Sequence, residues 1–450
     1  MIYILWLTLV LLAFLIYYSN KNLLSISFVS TVSLLISSTI YGLLYNEIGY
    51  DISFKTYLVI VFSVIVLFMG EKFIDLVLLN YSNHKSSSIS SLNTNRYYYY
   101  ATKRKMVIVF IGMISIFILR FYDLYQFSLT LGNSNGLMGT LSSVRLSYAT
   151  GEYAPSSIIM KFAIIVTLCC EFYAYTYMYY FLYNLIKWNI KLYRLLLPLV
   201  GYLIILISTT GRTQYIFVVC ILITMIISIY YNKDSTSFKY NKLLFSRVSK
   251  ISLFSIIFLM LYAMISRKSS GDASNTLYQT LTSYFSAPIY GLDISMDKFF
   301  YGIKGSDLTF GYYTLQKIHS FLNQFGFNYP TPVFHNLPFF NYRNGGSNIY
   351  TALLFPILDY GIMGMLISRF FIGSVYSIFK RLFFHSIRNE ENNISLIIFF
   401  GIFIYCSVNT YIADRYYEYF LDINTLIKYT IFSYLMIQFY NFKSTKILVK

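Results

Sequence analysis

The chain opens MIYILWLTLVLLAFLIYYSNKNLLSISFVSTVSLLISSTIYGLLY over residues 1–45. Met1 to Tyr18 carries no charged side chain. Ser19-Asn20-Lys21-Asn22 breaks the run, and a second uncharged stretch follows from Leu23 to Tyr45. A helix needs roughly 20 apolar residues to cross the hydrocarbon core of a bilayer, and each run is about that long. In lipid every backbone N–H and C=O must be satisfied within the segment, so both runs are expected to be helical. No basic region precedes the first run and no small-residue cleavage site follows it. It therefore reads as a retained helix, not a removed signal.

The same pattern recurs down all 450 residues. Apolar residues make up 57% of the chain and charged residues 12%, about half the charged share of a soluble domain. Aromatic residues reach 20%, with 48 Tyr and 41 Phe against 2 Trp. A cytosolic enzyme, a disordered chain and a secreted disulfide scaffold are excluded, because most residues of a globule must meet water. Eleven spans are expected, at about 2–18, 23–45, 56–78, 106–122, 158–186, 195–210, 214–231, 251–266, 357–379, 394–410 and 425–441. The fold class is all-α, one polytopic membrane helix bundle over residues 1–450. Two long loops are expected between spans, one at 123–157 and a larger one at 267–356, between the eighth and ninth spans. A loop of that second size is usually functional. Its stretch Thr276–Tyr313 is half apolar and suits helices lying on a membrane surface.

The net charge of +17 is a matter of placement. Alternate loops, beginning with Lys21 and ending with the tail residues Lys443, Lys446 and Lys450, hold 20 basic residues against three acidic ones. The other loops are nearly balanced. The positive-inside bias puts the first set in the cytoplasm, so the N-terminus is expected outside and the C-terminus inside. Clusters at membrane edges attract anionic lipid and do not form a nucleic-acid footprint. One of these loops, 81–105, ends in Arg96 followed by Tyr97 to Tyr100, which suits an interfacial tyrosine belt.

Cys169, Cys170, Cys220 and Cys406 lie in apolar segments with no CxxC pair, and read as packing residues. The four histidines are too scattered for a metal site. No GxxxxGK[ST] or HExxH is present, so no nucleotide, metal or other cofactor is implied. Any chemistry would have to use a substrate already activated.

The unusual residues fall in the outer loops. Arg212 sits in the turn Ser208-Thr209-Thr210-Gly211-Arg212-Thr213. Arg145 lies in the first long loop, Arg267 and Lys268 directly follow the eighth span, and Arg343 precedes the ninth. A guanidinium fork matches phosphate oxygens, although an arginine at a membrane edge also serves as an interfacial anchor. The pair Gly345-Gly346 suits either a hinge or a tight turn. Glu171 and Arg369 lie deepest within spans, each roughly 20 Å from the outer end at 1.5 Å per residue. At similar depth, they are expected either to form an ion pair that relieves the cost of a lone charge in lipid or to find separate Tyr, backbone or water partners.

Several pieces in order carry a family resemblance. They are Ser208 to Thr213, then Tyr284-Phe285-Ser286-Ala287-Pro288-Ile289, then Gly305-Ser306-Asp307-Leu308-Thr309-Phe310-Gly311. Asn348-Ile349-Tyr350-Thr351 follows, and then Asp359-Tyr360-Gly361-Ile362-Met363-Gly364. Together with the long penultimate outer loop, they make the chain resemble the O-antigen polymerase (Wzy) or oligosaccharide repeat unit polymerase family over roughly 205–370. The resemblance implies a GT-C-like bundle in the plasma (inner) membrane of a bacterium, with its active site facing the periplasm or exterior. It implies polymerisation of repeat units carried on undecaprenyl pyrophosphate into surface polysaccharide, whether O-antigen of lipopolysaccharide, capsule or exopolysaccharide. A chain-length regulator and a flippase would be partners. By position, Arg212 and Arg267 are the best counterparts of pyrophosphate-binding arginines, with Arg145 next and Arg343 a further candidate. His319 and His335 are candidates for the base, with Asp293, Asp307 and Asp359 competing. A flippase or transporter for the same lipid-linked glycan, or an O-antigen ligase, are the alternative readings.

Overall fold

The computed structural model describes residues 1–82, 97–131, 158–208, 213–230, 281–299, 310–330, 340–388, 394–423 and 446–448, with a few single residues besides. These residues are mostly helical. Six helices among them are long and apolar enough to cross a membrane, at Ile2–Asn20, Ile26–Leu43, Phe54–Val77, Lys103–Thr130, Leu354–Ser386 and Ile394–Tyr411. The expected spans at 251–266 and 425–441, and nearly all of the loop 132–157, lie outside the described residues. The chain divides into two compact units.

The first unit holds residues 1–88, 275–384 and 402–428. Its helices are α1 (Ile2–Asn20), α2 (Ile26–Leu43), the single turn α3 (Tyr45–Ile48) and α4 (Phe54–Ser82). Ser25 caps α2 by accepting from Phe28 N–H. α2 looks too polar for a span, since Ser27, Ser30, Thr31, Ser33, Ser37 and Ser38 are all buried. Each finds an acceptor or partner inside the unit. Ser33 donates to Val408 O at 2.7 Å, Ser30 bonds Thr410 Oγ1 at 3.1 Å, and Ser37 donates to Phe285 O. Small hydroxylated residues thus let segments from 250 and 380 residues away pack close to α2, as in other membrane helix contacts.

The segment expected as the long outer loop contributes a π-turn at Thr282–Ser286 running into α9 (Ala287–Phe299), and then α10 (Gln316–Asn323). α9 is not the surface helix expected from its amphipathic sequence. Ala287 to Asp293 are all buried, and the helix packs on α2 and α4. A hairpin of β2 (Phe340–Tyr342) and β3 (Gly345–Ser347) pairs Tyr342 with Gly345 and Asn341 with Gly346. The two glycines therefore close a tight antiparallel turn, in place of the hinge.

α11 (Leu354–Arg388) bends at Gly361, whose φ of 71° and ψ of −176° lie in a region open to glycine alone. It crosses α4 at glycines: a Cβ on Gly70 would come within 2.1 Å of Phe370 O, and one on Gly373 within 2.3 Å of Leu67 O. That close approach sets an acidic pair beside a basic one. Glu71, wholly buried, accepts from Ser25 Oγ at 2.8 Å, Ser27 Oγ at 2.7 Å and Lys380 Nζ at 3.3 Å, and Asp75 accepts from Lys380 at 2.6 Å and Ser377 at 2.6 Å.

α12 (Ile394–Val408) ends in a 3₁₀ turn at Asn409–Tyr411, and the chain then doubles back as α13 (Arg415–Phe420). The sequence reads 411–424 as an outer loop. The structure instead lays it along the helix it leaves. Cys406 Sγ donates to Arg415 O at 3.3 Å, Ser407 bonds Tyr416 OH at 2.6 Å, and the Phe403 and Phe420 rings stand 4.1 Å apart.

The second unit holds residues 89–274, 385–401 and 429–450. Among its described elements are β1 (Tyr97–Tyr99), α5 (Lys103–Thr130), α6 (Ile158–Trp188), α7 (Leu197–Ile207), α8 (Thr213–Tyr230) and β4 (Lys446–Leu448). With the 3₁₀ turn before it, α7 gives only the short apolar stretch Tyr193–Ile207. One ring of the expected tyrosine belt is turned inward. β1 pairs antiparallel with β4, and Tyr99 is buried, stacked 4.0 Å from Tyr180, with Asn184 bonding both its N–H and its C=O.

Candidate functional site

The chemistry-bearing residues of the first unit gather where the segment 310–323 meets the start of α11. Asp359 sits on the short helical stretch before the Gly361 bend. Its carboxylate accepts from Tyr313 N–H at 3.1 Å, Thr314 N–H at 2.7 Å and Thr314 Oγ1 at 2.7 Å. Thr314 Oγ1 also bonds Tyr360 OH at 2.6 Å. Phe310 packs on Tyr360 with ring centres 4.9 Å apart, and Tyr313 stacks on Phe355 at 5.4 Å. Burial raises the Tyr313 phenol above its usual range, so this ring stays neutral.

His319 lies one turn further along, on α10. It is buried, stacked on Tyr329 at 5.0 Å, and its Nδ1 has no hydrogen-bond partner. It stands within electrostatic reach of Asp359. Tyr329 is itself fixed, because the Asn323 side chain bonds its N–H and its C=O at 2.8 Å each. A buried imidazole with one free nitrogen, held by an aromatic ring beside a carboxylate, has the parts of a general base.

The other expected site residues part company here. Asp293 accepts from Ser53 N–H at 2.8 Å and Ser53 Oγ at 2.6 Å, which ties α9 to the start of α4. Its carboxylate is spent on that structural contact. Arg343 is exposed on the hairpin turn, where its N–H donates to Ile48 O at 3.1 Å while Asn344 bonds Glu47. That turn docks the hairpin on α3. Arg145, Arg212, Arg267, His335 and Asp307 lie outside the described residues.

Two groups of buried polar residues escape the sequence reading. In the second unit Arg120 is buried on α5 and donates to Thr167 Oγ1 on α6 at 3.2 Å. In the first unit Arg369 is buried and Asp414 acts on it, while Glu171 is buried in the second unit. Asp414 lies past Tyr411, where the apolar span ends. It caps α13 through Oδ1, which accepts from Tyr416 N–H at 3.1 Å and Tyr417 N–H at 3.5 Å. Burial pushes its carboxyl up to about 6, with the Arg369 charge and the two N–H groups pulling the other way and Glu418 adding to the rise. The clue in the sequence is Asp414-Arg415 so soon after an apolar run, with no length to spare before the next. Among the described residues no three His, Cys, Asp or Glu side chains group closely enough to hold a metal ion.

Comparison of the chain with known protein families, with curated proteins and with solved structures finds no match to any of them.

Proposed function

We propose that the chain is a membrane glycosyltransferase that polymerises oligosaccharide repeat units carried on undecaprenyl pyrophosphate, at the outer face of a bacterial plasma membrane. The observation that carries this reading is the convergence of sequence pieces that lie far apart. Phe310, of the piece ending at Gly311, packs on Tyr360, and Thr314 ties the residues just after that piece to Asp359. The piece beginning at Tyr284 runs into α9, whose Tyr290 packs on Phe340, which in turn packs on Tyr350. Stretches that resemble one family therefore meet in two places within one unit.

The contacts at chain turns support the orientation. Residues 47–53 meet 293 and 343–344, all in loops expected outside. Residues 97–99 pair with 446–448, both in segments expected inside.

In this reading the donor's bond to phosphate is already activated and no ATP site is needed. His319 takes the proton of the acceptor hydroxyl, whose oxygen attacks the anomeric carbon. The carbon–oxygen bond to pyrophosphate breaks, and the leaving group keeps the electron pair. By the resemblance, arginines of the loops would receive that charge, each preorganised contact being worth on the order of 10²–10³ in rate.

A flippase is the second reading, because Arg120, Asp123, Glu171, Arg369 and Asp414 give the interior more buried charge than the spans promised. Phenotype separates the two. His319→Ala, at wild-type protein level, should leave single repeat units capping the surface acceptor. Repeat units trapped on the inner leaflet indicate flipping, and an acceptor with none at all indicates ligation. Either result overturns the proposal.

A further inference from the structure

All three guanidinium nitrogens of Arg369 lack a hydrogen-bond partner, although the residue is 1% exposed. Asp414 Oδ2 is also buried and without a partner. The two charges act on each other, yet no hydrogen bond joins them among the described residues. Tyr416 lies beneath the guanidinium, 5.8 Å from ring centre to Cζ, and Tyr417 OH bonds Ser368 beside it. Buried polar groups are normally satisfied, and an orphaned pair is among the costliest arrangements a fold can hold.

We infer that Arg369 and Asp414 together bind the hydroxyl groups of a sugar ring of the oligosaccharide substrate. The inference rests on the polymerase reading for the identity of that sugar.

The chemistry of the two groups selects the ligand. A hydroxyl oxygen accepts from the guanidinium while its hydrogen is donated to Asp414 Oδ2, so one neutral group, or two on adjacent carbons, satisfies both. A phosphate suits Arg369 alone, because it brings negative charge against a carboxylate with no donor to spare. An apolar ligand satisfies neither.

The architecture also fits a binding role. Asp414 is held by its own cap bonds on α13, and α13 is held against α12 by the Cys406–Arg415 and Ser407–Tyr416 contacts. Arg369 sits on the long continuous part of α11, past the Gly361 bend. Tyr417, beside Arg369, and Tyr360, beside Asp359, are within electrostatic reach of each other. Arg369 and Asp414 would then hold a sugar in register while chemistry proceeds nearer the helix mouth. They are positioning residues in this account.

The test uses the full chain in lipid nanodiscs and reads thermal protection. The probes are the free oligosaccharide, released from the native lipid carrier by mild acid, and inorganic pyrophosphate. The variants are Asp414→Asn, which keeps the Oδ1 cap, Arg369→Gln, and the double variant Arg369→Met/Asp414→Asn, which removes both charges. The oligosaccharide should protect the wild type, and the half-maximal concentration should rise about tenfold or more in every variant that retains a cooperative melt. Protection by pyrophosphate should not change. Wild-type protection by the oligosaccharide in the double variant would show a pair bridged only by water, and overturn the inference. Loss of pyrophosphate protection, with oligosaccharide protection intact, would overturn it in favour of an anion site. Protection is read without polymer synthesis, so a wild type that binds the glycan but makes no polymer refutes the polymerase reading and not the site.

Discussion

Asp414 shows how one residue can be charged on paper and constrained in the fold. Its carboxyl titrates near 6 against an ordinary value of 3.8, so the folded chain binds more protons than the unfolded chain between those values. Stability is therefore fully present below about 4, falls as pH rises toward about 6, and is flat above that. Arg369 on α11 and Glu418 on α13 are the charged groups acting on it. A melting curve series in detergent should lose up to about 3 kcal/mol across that window in the wild type. Asp414→Asn should flatten it, and an unchanged slope would mean that Asp414 is not the titrating group. At this scale the sequence was partly legible. Arg369 stood out because it interrupts an apolar run. Asp414 did not, because depth along a helix cannot reveal that a later segment folds back beside it. His319 was visible only as one histidine in a loop, since its isolation comes from Tyr329 and Asn323, ten and four residues on.

Elements are held together by close backbone approach as much as by apolar area. The crossing of α4 and α11 depends on Gly70 and Gly373, where any side chain would strike a backbone carbonyl. Gly373→Leu should cost on the order of 1–3 kcal/mol by overpacking, and part the Lys380–Asp75 contact that the crossing sets up. Gly112→Leu is the matched control, because a Cβ there meets nothing within 4 Å. Membrane protein level and melting temperature should fall for the first and hold for the second, and equal behaviour would remove the crossing from the account. Helix positions were readable from hydropathy, and α1, α4 and α6 begin within two residues of the expected bounds. What hydropathy could not show was pairing. The buried α9, the β1–β4 ribbon and the return of α13 all depend on partners tens to hundreds of residues away, and their own segments look like loop, belt and linker.

At the scale of the whole molecule, composition settles the solvent and loop charge proposes the sides. A chain with this apolar share has to live in lipid, and its helices then have to satisfy their own backbones. Which glycan it handles, if any, is a property of side chains in two polar clusters and of loop arginines, and composition says nothing of those. The central claim is that the chain itself joins lipid-linked repeat units. The direct measurement is reconstitution of the purified protein in liposomes with purified undecaprenyl-pyrophosphate-linked repeat units and no other protein, followed by gel separation of the glycan. The account predicts a ladder of polymer lengths that needs no added nucleotide, and that shrinks on the order of 10²–10⁴-fold in rate with His319→Ala. Only unextended repeat units from a wild type that is folded and correctly inserted would contradict it.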